Sequence, residues 1–232
     1  MIANEMRTVP PPERRLLVFA RLPEEGAVKT RLAASIGSER ALSVYQAMLT
    51  DLLQNIGRSD EQTEIEILWA PTAAATGAAL RQAFGGFSIA MQTGSDLGDR
   101  LSMAFSERFF FHHTRKIVAI GVDDPTLSRS LIDHAFALLD SCEWVVGPAD
   151  DGGYYLIGCR AAAFSPKIFT DIEWSTDQVL ATTLARIQDS QQTVARLPAR
   201  FDIDREEDLR QLSALAPGGA TGDLLRSWGW PE

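Results

Sequence analysis

The stretch "LLVFARLPEEGAVKTRLA", residues 16–33, joins an apolar run to a loop rich in charged residues. The run at residues 16–20 has the length and composition of a buried strand. The loop after it contains Gly26, Lys29, Thr30 and Arg31. Ligands of open α/β sheets bind outside the carboxyl ends of the strands. This order of elements therefore predicts a ligand site in the loop.

Six further apolar runs follow along the chain, at residues 65–70, 87–91, 117–121, 144–147, 154–158 and 193–197. Amphipathic segments separate most of them, and these predict helices at residues 38–56, 72–84, 97–111, 128–139, 176–188 and 206–212. Such a βαβα series predicts an α/β fold of three layers, with a mainly parallel sheet flanked by helices on both faces.

Composition limits the class of protein. The 232 residues, 45% of them hydrophobic, suit one domain, which we expect at residues 14–232 after a mobile N-terminal leader at 1–13 that is rich in proline. No apolar stretch approaches the roughly 20 residues that a membrane helix needs, so we predict a cytoplasmic protein without a membrane partner. The net charge of -9 argues against nucleic acid. Two isolated cysteines indicate neither zinc nor a disulfide framework.

The charged loop has the chemistry of a phosphate site. Its glycine lets backbone amides approach an anion, while Lys29 and Arg31 supply a point charge and a planar fork of donors. It is not a Walker loop, because Val28 precedes the lysine where that motif has glycine. Solvated charges on a surface turn remain the alternative.

Two aspartates follow the predicted strand at residues 117–121. Asp123 and Asp124 in "GVDDPTLS" are oxygen donors of the kind that Mg²⁺ or Mn²⁺ prefers. Asp before Pro is also typical of a turn that starts a helix. From these residues alone, both interpretations stay open.

The stretch "GPADDGGYYLIG", residues 147–158, joins two predicted strands. Its Asp-Gly pair is a strong hairpin signal and explains Gly152 and Gly153. It does not explain two adjacent acids, Asp150 and Asp151, of which one is enough for a turn. The pair could position an acceptor hydroxyl or act as a general base.

Three weaker motifs have local explanations. Ser175 with Gln178 fits a capping box, which leaves a stacking role for Trp174 secondary. Asp204 with Glu207 also fits a cap, which leaves Asp202 without a purely local role, and either aspartate could bind a metal.

In "GSDLGDR", residues 94–100, Asp99 and Arg100 open a predicted helix, where the helix dipole favours an acid.

Taken in order, "FARLPEEGAVKTRL", "GSDLGDR", "GVDDPTL", "GPADDGGYYLIG", "EWSTDQV" and "FDIDREEDL" resemble the bacterial DUF2064 family. Members of that family are commonly labelled glycosyltransferases, including an arsenosugar-biosynthesis type. The resemblance spans about residues 16–209. It implies the Rossmann-like nucleotide-diphospho-sugar transferase fold, known as GT-A, and a nucleotide in the charged loop.

The resemblance also implies roles for individual residues. Those implied to bind nucleotide are Gly26, Lys29, Thr30 and Arg31. Those implied to act in catalysis are Lys29, Asp123 and Asp151. Implied ligands of Mg²⁺ or Mn²⁺ are Asp123, Asp204 and Asp202. We place substrate contacts at Asp99, Arg100, Gly152, Gly153 and Trp174.

Three positions depart from the family pattern. Val122 and Asp124 replace the usual Thr and Cys, and Arg205 stands where Thr is common. Asp124 could add a metal ligand or repel phosphate, and Arg205 could neutralise Asp204.

The leading hypothesis is a metal-assisted glycosyltransferase that binds a nucleotide-diphospho-sugar and a small-molecule acceptor. One alternative is nucleotidyl transfer, in which a phosphorylated small molecule attacks a nucleoside triphosphate and pyrophosphate leaves. Another is a non-catalytic nucleotide-binding module. The fold is common to all three, so it does not separate them.

Overall fold

The computed structural model describes residues 13–71, 84, 86–215 and 217–230. Within these ranges, seven strands form one sheet. They are β1 (Arg14–Ala20), β2 (Thr63–Trp69), β3 (Ser88–Met91), β4 (Lys116–Ile120), β5 (Trp144–Pro148), β6 (Tyr154–Arg160) and β7 (Val194–Arg196). The predicted strands are all present, and their ends lie within two residues of the predicted ends.

The sheet is mainly parallel, as the sequence predicts. Its order is β3-β2-β1-β4-β6-β5-β7. Only β6 runs antiparallel to its neighbours, because it returns from β5 through the predicted hairpin. The first strand lies between β2 and β4, so the chain leaves its carboxyl end at the point where the strand order reverses, the usual position of a ligand crevice.

Seven α-helices lie within the described ranges. They are α1 (Thr30–Ile36), α2 (Ser38–Ile56), α3 (Leu97–Phe110), α4 (Arg129–Leu138), α5 (Val179–Asp189), α6 (Glu206–Ala214) and α7 (Gly219–Ser227). Two short 3-10 helices, Ala161–Ala163 and Pro166–Phe169, follow β6. Of the helix predicted at residues 72–84, residues 72–83 lie outside the described part of the chain.

Helices cover both faces of the sheet and confirm the three layers. One face packs against Tyr45 and Leu52 of α2 and against Phe136 of α4. The other packs against Phe105 of α3 and Ile187 of α5. A third apolar cluster joins α1, α2, α6 and α7.

Two helices were not predicted. The first, α1, has only seven residues and begins inside the charged loop. The second, α7, begins where the backbone N–H groups of Ala220 and Thr221 donate to the buried carboxylate of Asp51, at 2.6 and 2.7 Å. That contact joins residues far apart in sequence, so no local pattern signals it.

The predicted capping residues are wrong in two places. Ser175 does not cap α5, because its backbone is left-handed (φ 66°) and the helix begins only at Val179. At α6 the capping acid is Asp208, whose carboxylate accepts from the backbone N–H groups of Asp204 and Arg205. Asp204 is therefore not needed to start this helix.

No helix among the described residues combines the length and the apolar character needed to cross a bilayer.

Candidate functional site

A cleft of about 660 Å³ opens at the carboxyl ends of β1 and β4. An adjoining cavity of about 490 Å³ shares part of its lining. Phe19, Arg21, Asp123, Tyr154 and Trp174 line both. The cleft thus lies at the sheet edge where the strand order predicts a ligand.

Lys29 connects the charged loop to the far end of the chain. Its side chain is only 3% exposed. The ammonium group donates to the carboxylate of Asp123, to the carbonyl oxygen of Ile203 at 2.5 Å and to Oδ1 of Asp204 at 3.3 Å. We call Lys29, Asp123, Ile203 and Asp204 the lysine cluster.

The lysine cluster keeps Lys29 charged. Burial alone would lower the pKa of Lys29, but attraction to Asp123 and Asp204 outweighs it and raises that pKa above its ordinary value. The backbone of Lys29 is left-handed (φ 47°), which is unfavourable for a residue with a Cβ atom. The three contacts of the side chain offset that cost.

The rest of the loop surrounds this lysine. Arg31 is 54% exposed, and its Nη1 lies 3.1 Å from Oδ2 of Asp204. Thr30 lines the cleft, whereas Gly26 lines neither cavity and supplies a turn with positive φ (76°). Of the four residues predicted to bind nucleotide, the structure therefore places three in the cleft.

Asp123 and Asp124 have different environments. Asp124 is 5% exposed, and its carboxylate accepts from the side chain of Arg200 and from the backbone N–H of Thr126 at 2.8 Å. Asp123 is 52% exposed and lines the cleft. The turn explanation therefore applies to Asp124. Its carboxylate is engaged by Arg200 and Thr126, so the structure does not place it as an extra metal ligand.

The departure at residue 205 does not neutralise Asp204. Asp204 is paired with Lys29 and Arg31, while the exposed Arg205 lies at the start of α6 and makes no ion pair within the described residues.

The cleft also contains an acid group, which is formed by Asp151, Asp177 and Asp202. No ion pair to any of the three occurs in the described part of the chain. Burial, followed by repulsion from Asp123 and Asp151, raises the pKa of Asp202 to about 7. The acid group thus adds negative charge to the same cleft that Lys29 and Arg31 line.

The Asp-Gly-Gly hairpin brings its acid, Asp151, into the cleft. Oδ1 of Asp151 accepts from the backbone N–H of Gly153 at 2.8 Å, and both residues line the cleft. Gly152 does not line either cavity. Its φ is 88°, and a Cβ atom there would lie 2.3 Å from the carbonyl oxygen of Asp177. Gly152 therefore permits close packing instead of lying against a ligand.

Two aromatic residues border both cavities. Trp174 and Tyr154 line both and meet edge to face, with their centroids 6.5 Å apart. Trp174 is partly buried, in a position where a ligand ring could stack on it.

The predicted pair Asp99 and Arg100 lies to one side. Asp99 accepts from Ser95 and lines neither cavity. Arg100 lines only the smaller cavity, and its Nε donates to the carbonyl oxygen of Gly94 at 3.3 Å. The structure thus leaves Asp99 as a helix-capping partner.

Sequence reasoning missed Tyr45 and Asp177, which both line the cleft. Tyr45 donates to the carbonyl oxygen of Arg21 and accepts from its backbone N–H, both at 2.8 Å, which anchors the start of the charged loop. Asp177 was assigned to a helix start, although it belongs to the quoted "EWSTDQV" motif. No signal within the sequence joined Tyr45, the eighth residue of α2, to residue 21.

The lysine cluster has the donors of a cation site. No group of three or more His, Cys, Asp or Glu side chains within the described residues is arranged to hold a metal. Two carboxylates and the Ile203 carbonyl nevertheless converge on Nζ of Lys29. Oxygen ligands of these types suit Mg²⁺ or Mn²⁺. The oxygens therefore fit a divalent ion, but the ammonium group holds the position between them.

Comparison with known proteins gives a family and a fold. The sequence profile of DUF2064, described as an uncharacterized protein conserved in bacteria, matches residues 55–176. A solved structure from Desulfovibrio desulfuricans, provisionally described as a nucleotide-diphospho-sugar transferase, is 31% identical with a TM-score of 0.88, and the match covers 93% of this chain and 95% of that one. No curated protein matches.

More distant structures share the fold. A cytidylyltransferase from Leptospira borgpetersenii is 15% identical with a TM-score of 0.60, over 93% of each chain. A 4-diphosphocytidyl-2C-methyl-D-erythritol synthase from Anaerococcus prevotii is 11% identical with a TM-score of 0.56, over 85% of this chain and 92% of that one. At these identities the likeness concerns the fold alone.

Proposed function

This chain belongs to the DUF2064 family, and we propose that it is a glycosyltransferase that uses a nucleotide-diphospho-sugar donor. The observation that carries the proposal is that one cleft holds cations together with acids that form no ion pair among the described residues. Lys29 and Arg31 line this cleft, and so does the acid group. The similar protein from Desulfovibrio desulfuricans, provisionally described as a transferase of this kind, supports it.

The two cations of the cleft suit the donor's diphosphate. Lys29 supplies a charged ammonium group and Arg31 a guanidinium that is half exposed to the cleft. Charge-assisted contacts of this kind are among the stronger hydrogen bonds. Both cations would hold the departing nucleoside diphosphate, so that the sugar lies in the part of the cleft that the acid group lines.

A divalent ion is part of this proposal. Asp123 and Asp204, with the Ile203 carbonyl, would hold it, because these are the oxygen atoms that converge in the cleft. When bound, Mg²⁺ or Mn²⁺ would neutralise charge that develops on the leaving diphosphate.

The acid group suits an acceptor hydroxyl. Asp151 would accept the hydroxyl proton as the acceptor oxygen bonds to the anomeric carbon and the bond from that carbon to the diphosphate oxygen breaks. The electron pair of the broken bond leaves with the nucleoside diphosphate. Oδ1 of Asp151 is held by Gly153, which fixes the direction of the carboxylate.

The same charges argue against nucleotidyl transfer. In that reaction the attacking group is an anionic phosphate, and three unpaired carboxylates would repel it. A hydroxyl without a neighbouring phosphate meets no such repulsion. The cleft therefore favours a glycosyl acceptor that is neutral or cationic.

Product analysis tests the proposal. The protein is incubated with Mn²⁺ and one nucleotide sugar or nucleoside triphosphate at a time. Each mixture also receives candidate small-molecule acceptors, which are tested in separate fractions according to their charge. We expect release of a nucleoside diphosphate, with loss of most activity in Asp151→Asn and little change in Asp150→Asn, whose side chain lines neither cavity. Release of pyrophosphate from a triphosphate would replace this proposal with nucleotidyl transfer. Nucleotide binding without either product would favour the non-catalytic module.

A further inference from the structure

We infer that Lys29 blocks the divalent-ion site of the ligand-free protein and leaves it only when donor phosphates draw the ammonium group away. The ammonium group touches Asp123, Asp204 and the carbonyl oxygen of Ile203 together. One small cation at that point would need the same oxygens. The lysine and the ion are therefore competing occupants of one position.

Burial strengthens the block. The side chain of Lys29 is 3% exposed, so it fills the space between the acids instead of reaching them from solvent. An incoming ion must displace a charged group that already satisfies both carboxylates. The competition lowers the affinity of the free protein for the ion, since only the difference between the two states is gained.

A second contact supports the exchange. Arg31 binds the other oxygen of Asp204 and remains half exposed, so Asp204 keeps a cationic partner when Lys29 moves. The long, flexible side chain of lysine can move between neighbouring anions. Donor phosphates entering beside Arg31 would offer such an anion. This second half of the exchange rests on the proposed function, whereas the block in the free protein does not.

The exchange predicts an order of binding. Donor and ion would enter together or donor first, and the free protein would not collect divalent ions on its own. The carboxylates of Asp123 and Asp204 would then bind a divalent ion only when the donor's diphosphate is present.

The test measures Mn²⁺ binding to the ligand-free protein by electron paramagnetic resonance. We expect Lys29→Met to bind Mn²⁺ at least about tenfold more tightly than the wild type, because the variant frees the oxygens and removes a repelling charge. The double variant Lys29→Met with Asp123→Asn should lose that gain. Thermal unfolding confirms that each variant is folded.

Two controls separate displacement from a general charge effect. Arg31→Met removes one positive charge from the same cleft without emptying the position between Asp123 and Asp204, so we expect only about a threefold gain. Lys116→Met removes another largely buried lysine, paired with Asp140 outside the cleft, and should leave Mn²⁺ binding unchanged.

Equal gains in Lys29→Met and Arg31→Met would overturn the inference and leave a simple field effect. Unchanged or weaker Mn²⁺ binding in Lys29→Met would overturn it as well. Neither result requires turnover, so failure here is distinguishable from failure of the proposed glycosyl transfer.

Discussion

Two charged clusters of this protein contain buried cations, but only one of them is open to a ligand. In the arginine cluster, formed by Arg15, Glu66 and Arg108, all three side chains are at most 9% exposed. In the lysine cluster, the cation is buried while Asp123 is 52% exposed. The first cluster is closed on every side, and the second presents its acids to a cleft.

The bonding of the two clusters differs in the same way. Glu66 receives two bonds from Arg108, at 2.9 and 2.7 Å, and a third from Arg15 at 3.2 Å. Its lone pairs are used within the protein. In the lysine cluster, Asp123 has a single cationic partner among the described residues, Lys29, and is otherwise open to the cleft. A charged group that is paired on all sides stabilises a fold, whereas one with a replaceable partner can bind a ligand.

The largest effect is expected in the arginine cluster. Glu66→Gln should lower the free energy of unfolding by about 3 to 5 kcal/mol, because the two buried guanidinium groups lose the one buried carboxylate between them and keep only the more exposed Glu64 and Glu107. Chemical denaturation measures the change. Glu64→Gln is the matched control, since Glu64 also pairs with Arg15 but is more exposed. Similar losses in both variants would contradict the distinction between closed and exposed pairs.

A smaller effect concerns ligand binding at the lysine cluster. Lys29→Met should weaken binding of a nucleoside diphosphate by about 1 to 3 kcal/mol, the cost of losing one charge-assisted contact. Calorimetry in the presence of EDTA isolates this contact from any gain in metal binding. Unchanged affinity would remove Lys29 from the phosphate site.

Glu66 of the arginine cluster and Asp202 of the cleft should make pH-dependent contributions to stability that have opposite signs. Although burial would raise the pKa of Glu66, its arginine partners lower that pKa, so its contribution is present above its ordinary value near 4.5 and is lost as the pH falls through the lower folded value. The pKa of Asp202 is raised from 3.8 to about 7, so the folded state holds an extra proton between those values and stability falls as the pH rises through that window.

Asp202→Asn tests the second half of that contrast. The substitution should raise the free energy of unfolding at pH 8 by about 1 to 2 kcal/mol, because it removes a repelled charge, and it should have little effect at pH 4. Denaturant midpoints measured across this range give the comparison. A loss of stability at pH 8 would show that the carboxylate of Asp202 is favourable in the folded protein.

The smallest effect is expected for the exposed pair at the cleft. Arg31→Met should change the free energy of unfolding by less than about 0.5 kcal/mol, because an ion pair that solvent reaches contributes little. Thermal denaturation at low and high salt measures it. A loss as large as that of Glu66→Gln would mean that Arg31 supports the fold and is not held ready for a ligand.

The fold could be predicted because its signals are local. Seven apolar runs became seven strands, and the helix predicted at residues 38–56 has those bounds in the structure. The Asp-Gly pair at residues 151–152 produced the hairpin that reverses β6. Short α1 was missed because its start depends on the left-handed backbone of Lys29, which long-range contacts support.

The candidate site was predictable as a set of motifs and less so as an arrangement. Asp123 and Asp124 are adjacent acids, yet Arg200, far along the chain, binds only Asp124. Asp99 carries the charge expected of a ligand contact but is used beside its own helix start. Adjacent residues of one type come to have different roles when only one of them has a partner far along the chain.

The sequence by itself determined the order of strands and helices, the family, and the types of charge available at the carboxyl edge of the sheet. These follow from periodicity and local chemistry, which act over a few residues. Only the tertiary structure decided that Lys29 lies between Asp123 and Asp204, and that Asp151, Asp177 and Asp202 line the same cleft. The physical reason is that electrostatic interaction depends on distance in space, and folding alone brings residues so far apart in sequence into contact.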